Sequence, residues 1–152
     1  PYLSQYDIQV YEQGEGASAN MLLETFRETD RAVLLGTRAF WEGVDVPGEA
    51  LSVLVIVKLP FDVPSDPIIA ARSETFEDPF YQYALPEAIL RFRQGFGRLI
   101  RTQTDRGVVI VLDKRVLTKR YGHFFIESLP RCEFKQGLMS NLPKLTDRWL
   151  NI

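Results

Sequence analysis

A layered α/β fold, a parallel sheet with helices on both faces, is what this chain predicts, on three observations. Residues 32–35, 51–59 and 108–112 are nearly continuous apolar runs, the pattern of strands covered on both faces. Stretches with helical spacing of apolar residues lie between and around them, and helical crossovers are what parallel strands need. The chain has 152 residues, 45% hydrophobic and 25% charged, ordinary values for one globular domain large enough to bury a core.

The elements follow in order. Residues 7–11 form a short β-rich run that ends at the Gly14-Glu15-Gly16 break. Ser18 is a cap for a helix over 19–28, with Met21, Leu22 and Phe26 near one stripe. The apolar runs 32–35 and 51–59 are strands, the second ended by Pro60 and Pro64. A helix is expected over 67–75. The next helix is expected to start at Leu85-Pro86-Glu87, since proline is tolerated in a first turn. Residues 108–112 are a further strand, and 124–128 lie in a helix on it. After Pro130 the pattern fades, and 131–152 read as a C-terminal tail without an assigned structure. No repeat, low-complexity segment or long linker interrupts the chain.

The helix after Leu85 carries the most informative run, Gln94-Gly95-Phe96-Gly97-Arg98-Leu99-Ile100-Arg101. Gln94, Arg98 and Arg101 are offset by four and three residues and stack along one stripe. Ile89, Phe92, Phe96, Leu99 and Ile100 fall on the other. Guanidinium is permanently charged and forks onto phosphate oxygens, so two arginines one turn apart suit a phosphoryl group. Glycine inside a helix costs about 1 kcal/mol against alanine, which Gly95 and Gly97 offset if a ligand or backbone must approach closely. A solvated basic face is the competing reading.

A second motif stands upstream, Gly36-Thr37-Arg38-Ala39-Phe40-Trp41-Glu42-Gly43-Val44-Asp45-Val46-Pro47-Gly48, directly after the strand at 32–35. The two runs together resemble motifs V and VI of superfamily-two helicases, and Phe40 to Asp45 resembles the XPD/DinG branch. Between them Lys58-Leu59-Pro60-Phe61, Pro64, Asp66-Pro67 and Ala71-Arg72 are similar to the segment that joins the motifs in that branch. The resemblance covers roughly residues 6–130 in the expected order. It implies a RecA-like second motor lobe of an ATP-dependent DNA helicase.

Several expectations come with the resemblance. Arg98 and Arg101 contact the γ-phosphate, Arg101 as the finger, with Gln94 positioning. Glu42, Gly43, Asp45 and Gly97 line the nucleotide cleft, and Thr37, Arg38 and Phe40 meet single-stranded DNA. ATP with Mg is held mainly by a first RecA-like lobe of the same polypeptide. That other lobe is also where this branch carries its iron-sulfur cluster, which a parent protein could hold but this chain does not. The lobe's opening strand and helix are not recognisable before Tyr6, so the chain reads as a piece of a longer, monomeric polypeptide with Pro1 inside the first helix. No G-x-x-x-x-G-K-[ST] run occurs, so the chain alone is expected not to hydrolyse ATP.

The plainer readings of these residues stay open beside those roles. Asp45 fits a turn before Val46-Pro47-Gly48, Arg38 a surface ion pair, and Phe40 with Trp41 a buried aromatic anchor as well as a stacking platform. Lys58 either reaches phosphate or snorkels. His123 has no partner at metal-ligand spacing. The rival functions are a non-catalytic α/β module that grips a phosphorylated ligand, and a nuclease-like member of the same branch, for which no clustered acidic constellation is visible.

Charge and cysteine usage bound the partners. A formal net charge of -2 excludes coating of nucleic acid by bulk electrostatics. DNA contact must then be local, with Arg91, Arg93, Arg98, Arg101, Arg106, Lys114, Arg115, Lys119 and Arg120 as the candidate basic sector. Cys132, the single cysteine, excludes an internal disulfide and a thiolate cage, and is expected to pack as a small apolar residue. No run has the length of a membrane span and no signal peptide opens the chain, which gives a cytoplasmic expectation.

Overall fold

The computed structural model describes residues 2–13, 18–37, 51–99 and 106–150. Four short strands, β1 (Gln9–Glu12), β2 (Ala32–Leu35), β3 (Val53–Ile56) and β4 (Val108–Val111), form two parallel pairs, β1 with β2 and β3 with β4. Gln9 is opposite Ala32 in the first pair and Val53 opposite Val108 in the second. The helices are α1 (Ala19–Arg27), α2 (Pro67–Ser73), α3 (Leu85–Leu99), α4 (Arg115–Thr118), α5 (Gly122–Glu127) and α6 (Leu142–Leu150). The parallel α/β class read from the apolar runs is the class observed.

Local chemistry sets where each element begins. The first strand starts at Gln9, two residues later than expected. Asp7 adopts a left-handed conformation (φ 58°) and its N–H closes a 3-10 turn over Leu3–Tyr6. Ser18 caps α1 as expected, its hydroxyl accepting from the Met21 N–H at 3.2 Å. Asp66 does the same for α2, accepting from Ile68 and Ile69. The run at 51–59 supplies only the four residues of β3, because Leu59 donates its N–H to the Asp113 carboxylate (2.9 Å) instead of to a ladder, and Pro60 has no N–H. Val55 is 47% exposed, so the double-sided cover expected of this run is incomplete.

The α-helix with the arginines starts at Leu85, as expected, and a separately capped turn leads into it. Asp78 accepts from the Tyr81 N–H (3.1 Å), Gln82 Oε1 accepts from the Asp78 N–H (3.1 Å), and Pro79 occupies the first turn. Residues Phe80–Ala84 then form a π-helical turn that runs straight into α3. A proline ring inside a helix clashes with the carbonyl four residues back, and the wide turn immediately before Pro86 relieves that conflict.

Two cores result. Leu23 and Phe26 of α1 pack on Tyr11, Ala32, Leu34 and Leu51. The larger core unites Ile56 and Leu59 with Leu85, Ala88 and Phe92 of α3 and with Val116 and Phe125. Phe92 stands edge-on to Phe125 with centroids 5.3 Å apart, a favoured aromatic geometry. Phe125 is fully buried and its neighbour Phe124 is 40% exposed, so α5 starts at Gly122 and presents its second phenylalanine inward.

In the tail after Pro130, to which the sequence assigns no structure, a 3-10 turn at Met139–Asn141 leads into α6, which contacts β4. Two further expectations are corrected. Cys132 is exposed and does not pack in a core. Of the proposed basic sector, Arg91 is buried and Arg115 is spent on Asp113.

Asp113 gathers several donors at one carboxylate. It follows β4, its side chain is 8% exposed, and it accepts from the Leu59 N–H, the Arg115 N–H and the Arg115 guanidinium (Nη2 at 2.6 Å). The guanidinium hydrogen bond, helped by the two backbone N–H groups, outweighs burial and lowers its pKa from 3.8 to about 2. A lowered folded-state pKa stabilises the fold above the unfolded value and loses that contribution as pH falls. Urea unfolding should therefore show a loss of about 2 kcal/mol between pH 5 and pH 1 that Asp113→Asn removes. A second expectation concerns Gly122, where a Cβ would drive into the backbone carbonyl of Val116. Gly122→Ala should cost about 1–3 kcal/mol in the same measurement.

Candidate nucleotide and nucleic-acid site

The described half of the site is the end of α3. Leu85, Ala88, Phe92, Phe96 and Leu99 turn inward, with Ile89 half-buried against the same core. Leu99 lies over Gly107, where a Cβ would sit 2.6 Å from its side chain, so the helix end docks on the approach to β4. The outer side of the last two turns carries Gln94 and Gly97, both exposed, with Arg98 half-buried beside them. Of the two stripes read from the spacing, Phe92, Phe96 and Leu99 are buried and Gln94 is exposed, while Ile100 and Arg101 lie outside the described residues. Gly95 is buried. A Cβ at Gly97 would meet nothing within 4 Å, so packing among the described residues does not require that glycine.

Arg91 lies at the border of the buried side, about two turns before Arg98, and does different work. It is 9% exposed, and its guanidinium donates to Asp62 Oδ2 at 2.8 Å and to Glu87 Oε2 at 3.2 Å. The Asp62 side chain is 4% exposed. A buried charge is tolerated only when paired and hydrogen-bonded, and here one guanidinium forks to two carboxylates. Sequence reasoning counted Arg91 as a DNA contact. The Glu87–Arg91 spacing of four residues was the available signal for a helix pair, whereas nothing local pointed to Asp62, which is 29 residues away.

The segment that ends β3 organises the rest. The Phe61 N–H donates to the Leu59 carbonyl at 2.8 Å, a tight turn over Pro60. Its ring stacks on Phe80 (5.9 Å), meets Tyr121 and Phe125 edge-on (5.7 and 5.8 Å), and lies 5.4 Å from the Arg115 guanidinium carbon. At the carboxyl ends of β3 and β4, a groove of about 470 Å³ is lined by Val57, Lys58, Leu112, Asp113, Lys114 and Arg115. Lys58 and Lys114 are exposed there, as are Arg93, Arg106, Lys119 and Arg120 elsewhere in the proposed basic sector.

Thr37 sits past the carboxyl end of β2, exposed, and donates its hydroxyl to Gln13 Oε1 at 2.9 Å, past the end of β1. That is the edge where parallel α/β sheets place ligands. Arg101, Glu42, Gly43, Asp45, Arg38 and Phe40 lie outside the described residues. Among the described residues no group of three or more His, Cys, Asp or Glu side chains could hold a metal ion, and no helix is long and apolar enough to cross a membrane. His123 is exposed, with Nδ1 at 2.6 Å from the Arg120 carbonyl.

Residues 2–132 match the helicase C-terminal domain family. The chain is 46% identical over 145 residues to the 3'-5' exonuclease DinG of Bacillus subtilis, covering 92% of this chain and 16% of that protein. It is 47% identical over 127 residues to the ATP-dependent DNA helicase YoaA of Haemophilus influenzae, covering 81% of this chain and 20% of that protein. It is 44% identical over 117 residues to the ATP-dependent helicase DinG of Mycobacterium tuberculosis, covering 74% of this chain and 18% of that one. The chain thus spans a fifth or less of these relatives. A parallel α/β lobe and these matches together show that the chain belongs to the helicase C-terminal domain family, as a RecA-like second lobe of the XPD/DinG type.

Proposed function

We propose that this lobe completes the ATP site of a DNA helicase by presenting Arg98 and Arg101 to a nucleotide held with Mg by a first RecA-like lobe of the same polypeptide. The observation that carries the reading is the outward placement of Gln94 and Gly97 beside Arg98 on the last two turns of a helix whose opposite side is buried. The 3'-5' exonuclease named for the Bacillus relative belongs to a protein of which this chain matches 16%, and the described residues offer no metal-binding acidic group for such chemistry.

In this reading the arginines act on the transition state. Charge spreads over the transferring phosphoryl oxygens, and a guanidinium fork meets two of them at once. An arginine finger is worth about 10³ to 10⁵ in rate, or about 4–7 kcal/mol. Gln94 positions the attacking water, and the open space over Gly97 admits the nucleotide side of the cleft. Glu42, Gly43 and Asp45 line that cleft from the motif after β2. Thr37, Arg38 and Phe40 face single-stranded DNA, the first two through phosphate oxygens and Phe40 through a base. Without a phosphate loop the 152-residue lobe has no turnover of its own.

In the two-lobe helicase, Arg101→Ala and Arg98→Ala should each lower kcat for ATP at least about 10³-fold with a much smaller change in nucleotide Kd. Arg101→Lys should not restore it, because an ammonium is a point charge. Near-normal kcat in both alanine variants overturns the assignment, and affinity loss with turnover preserved points instead to a static anion grip. For DNA, Arg38→Ala should weaken single-strand binding and reduce the slope of log K against log salt by about 1. Unchanged affinity and slope would remove Arg38 from the interface.

A further inference from the structure

Arg91 and Asp62 form an ion pair between α3 and the loop after β3, and its geometry suits alignment as much as stability. Arg98 follows Arg91 by seven residues, which on a helix is about 10 Å along the axis and within about 20° in azimuth. Glu87, Arg91 and Arg98 therefore share one side of α3. Arg91 is fixed there at 2.8 Å to Asp62, a residue of the loop after β3 and not of the helix itself. That loop is in turn held at Leu59 by Asp113 and at Phe61 by three rings and a guanidinium.

We infer that Arg91 is a positioning residue: with Asp62 it fixes the rotation of α3 about its own axis and so aims Arg98 and Gln94 at the phosphates. The inference rests on the proposed role of Arg98. Close packing of Leu85, Phe92, Phe96 and Leu99 limits the rotation of α3, and the Arg91 fork fixes what packing leaves, since interdigitated apolar side chains tolerate small shifts whereas a forked hydrogen bond has one geometry. Side-chain tips stand about 5–6 Å from a helix axis, so a 10° rotation moves them by about 1 Å. A misplacement of that size at a reacting centre costs about 10²-fold in rate.

The test uses the two-lobe helicase and reads kcat, KM for ATP and Tm together. Arg91→Lys and Asp62→Asn keep side-chain volume and should fold; each should lower kcat about 10-fold or more with KM within about threefold, measured well below Tm. The double variant Asp62→Leu/Arg91→Met removes both charges with apolar groups of similar size, a change that often leaves stability intact. It should recover Tm and still show the kcat loss. If kcat recovers with Tm in the double variant, or if Arg91→Lys and Asp62→Asn retain parental kcat, Arg91 only holds the fold together and the inference fails. Arg98→Ala is the separate control: near-normal kcat there overturns the finger reading itself and this inference with it.

Discussion

The turn from Leu59 to Asp62 is the constraint on which the larger core and the arginine helix both depend. Within four residues it gives a backbone N–H to Asp113, a ring to the aromatic cluster and a carboxylate to Arg91. Each contact joins a different element: the end of β4, the α5 region and α3. A loop without regular hydrogen bonds is normally the mobile part of a domain. Here its polar groups are satisfied by buried side chains, so the loop behaves as part of the core and transmits the position of the strands to the helix.

The arginines divide into two kinds by burial, which a reading of charge along the sequence could not separate. Arg91 and Arg115 each sit against a carboxylate whose side chain is under a tenth exposed, where Coulomb attraction is strong and the cost of losing a partner is high. Arg93, Arg106, Lys58 and Lys114 stand in water, where pairing contributes little and the charge remains available to an anion. With a net charge of -2, the lobe is far from a generic polyanion binder. Its basic character is local, and two of its arginines are consumed in building the fold.

Legibility followed the range of the determining interaction. The apolar runs predicted β2, β3 and β4, the β-rich run at 7–11 predicted β1, and the Ser18 cap predicted α1, because side-chain burial and capping act within a few residues. The strand at 51–59 came out too long because its end is decided by a hydrogen bond to Asp113, 54 residues downstream of Leu59. The start of α3 at Leu85 was legible from Leu85-Pro86-Glu87, while the π-helical turn before it, opened at Asp78-Pro79 with the chemistry that Asp66-Pro67 uses for α2, was not. Helix α6 was missed because Trp149 and its neighbours make a short amphipathic stripe with no cap before it. At the site, the polar and apolar stripes of α3 were legible from spacing, while the burial of Arg91 was not, since its partner Asp62 is remote in sequence.

The two parallel pairs end in one design with opposite character. Past β1 and β2, Thr37 and Gln13 join the two strand exits through a 2.9 Å hydrogen bond that is fully open to water. Past β3 and β4, Leu59 and Asp113 join theirs through a bond of the same length that is largely buried and reinforced by Arg115. An exposed hydrogen bond contributes little net free energy because water replaces either partner, whereas a buried one to a charged group is costly to break. The Asp113 junction is therefore the costly one to open, whereas the Thr37 hydroxyl can exchange Gln13 for water at almost no cost.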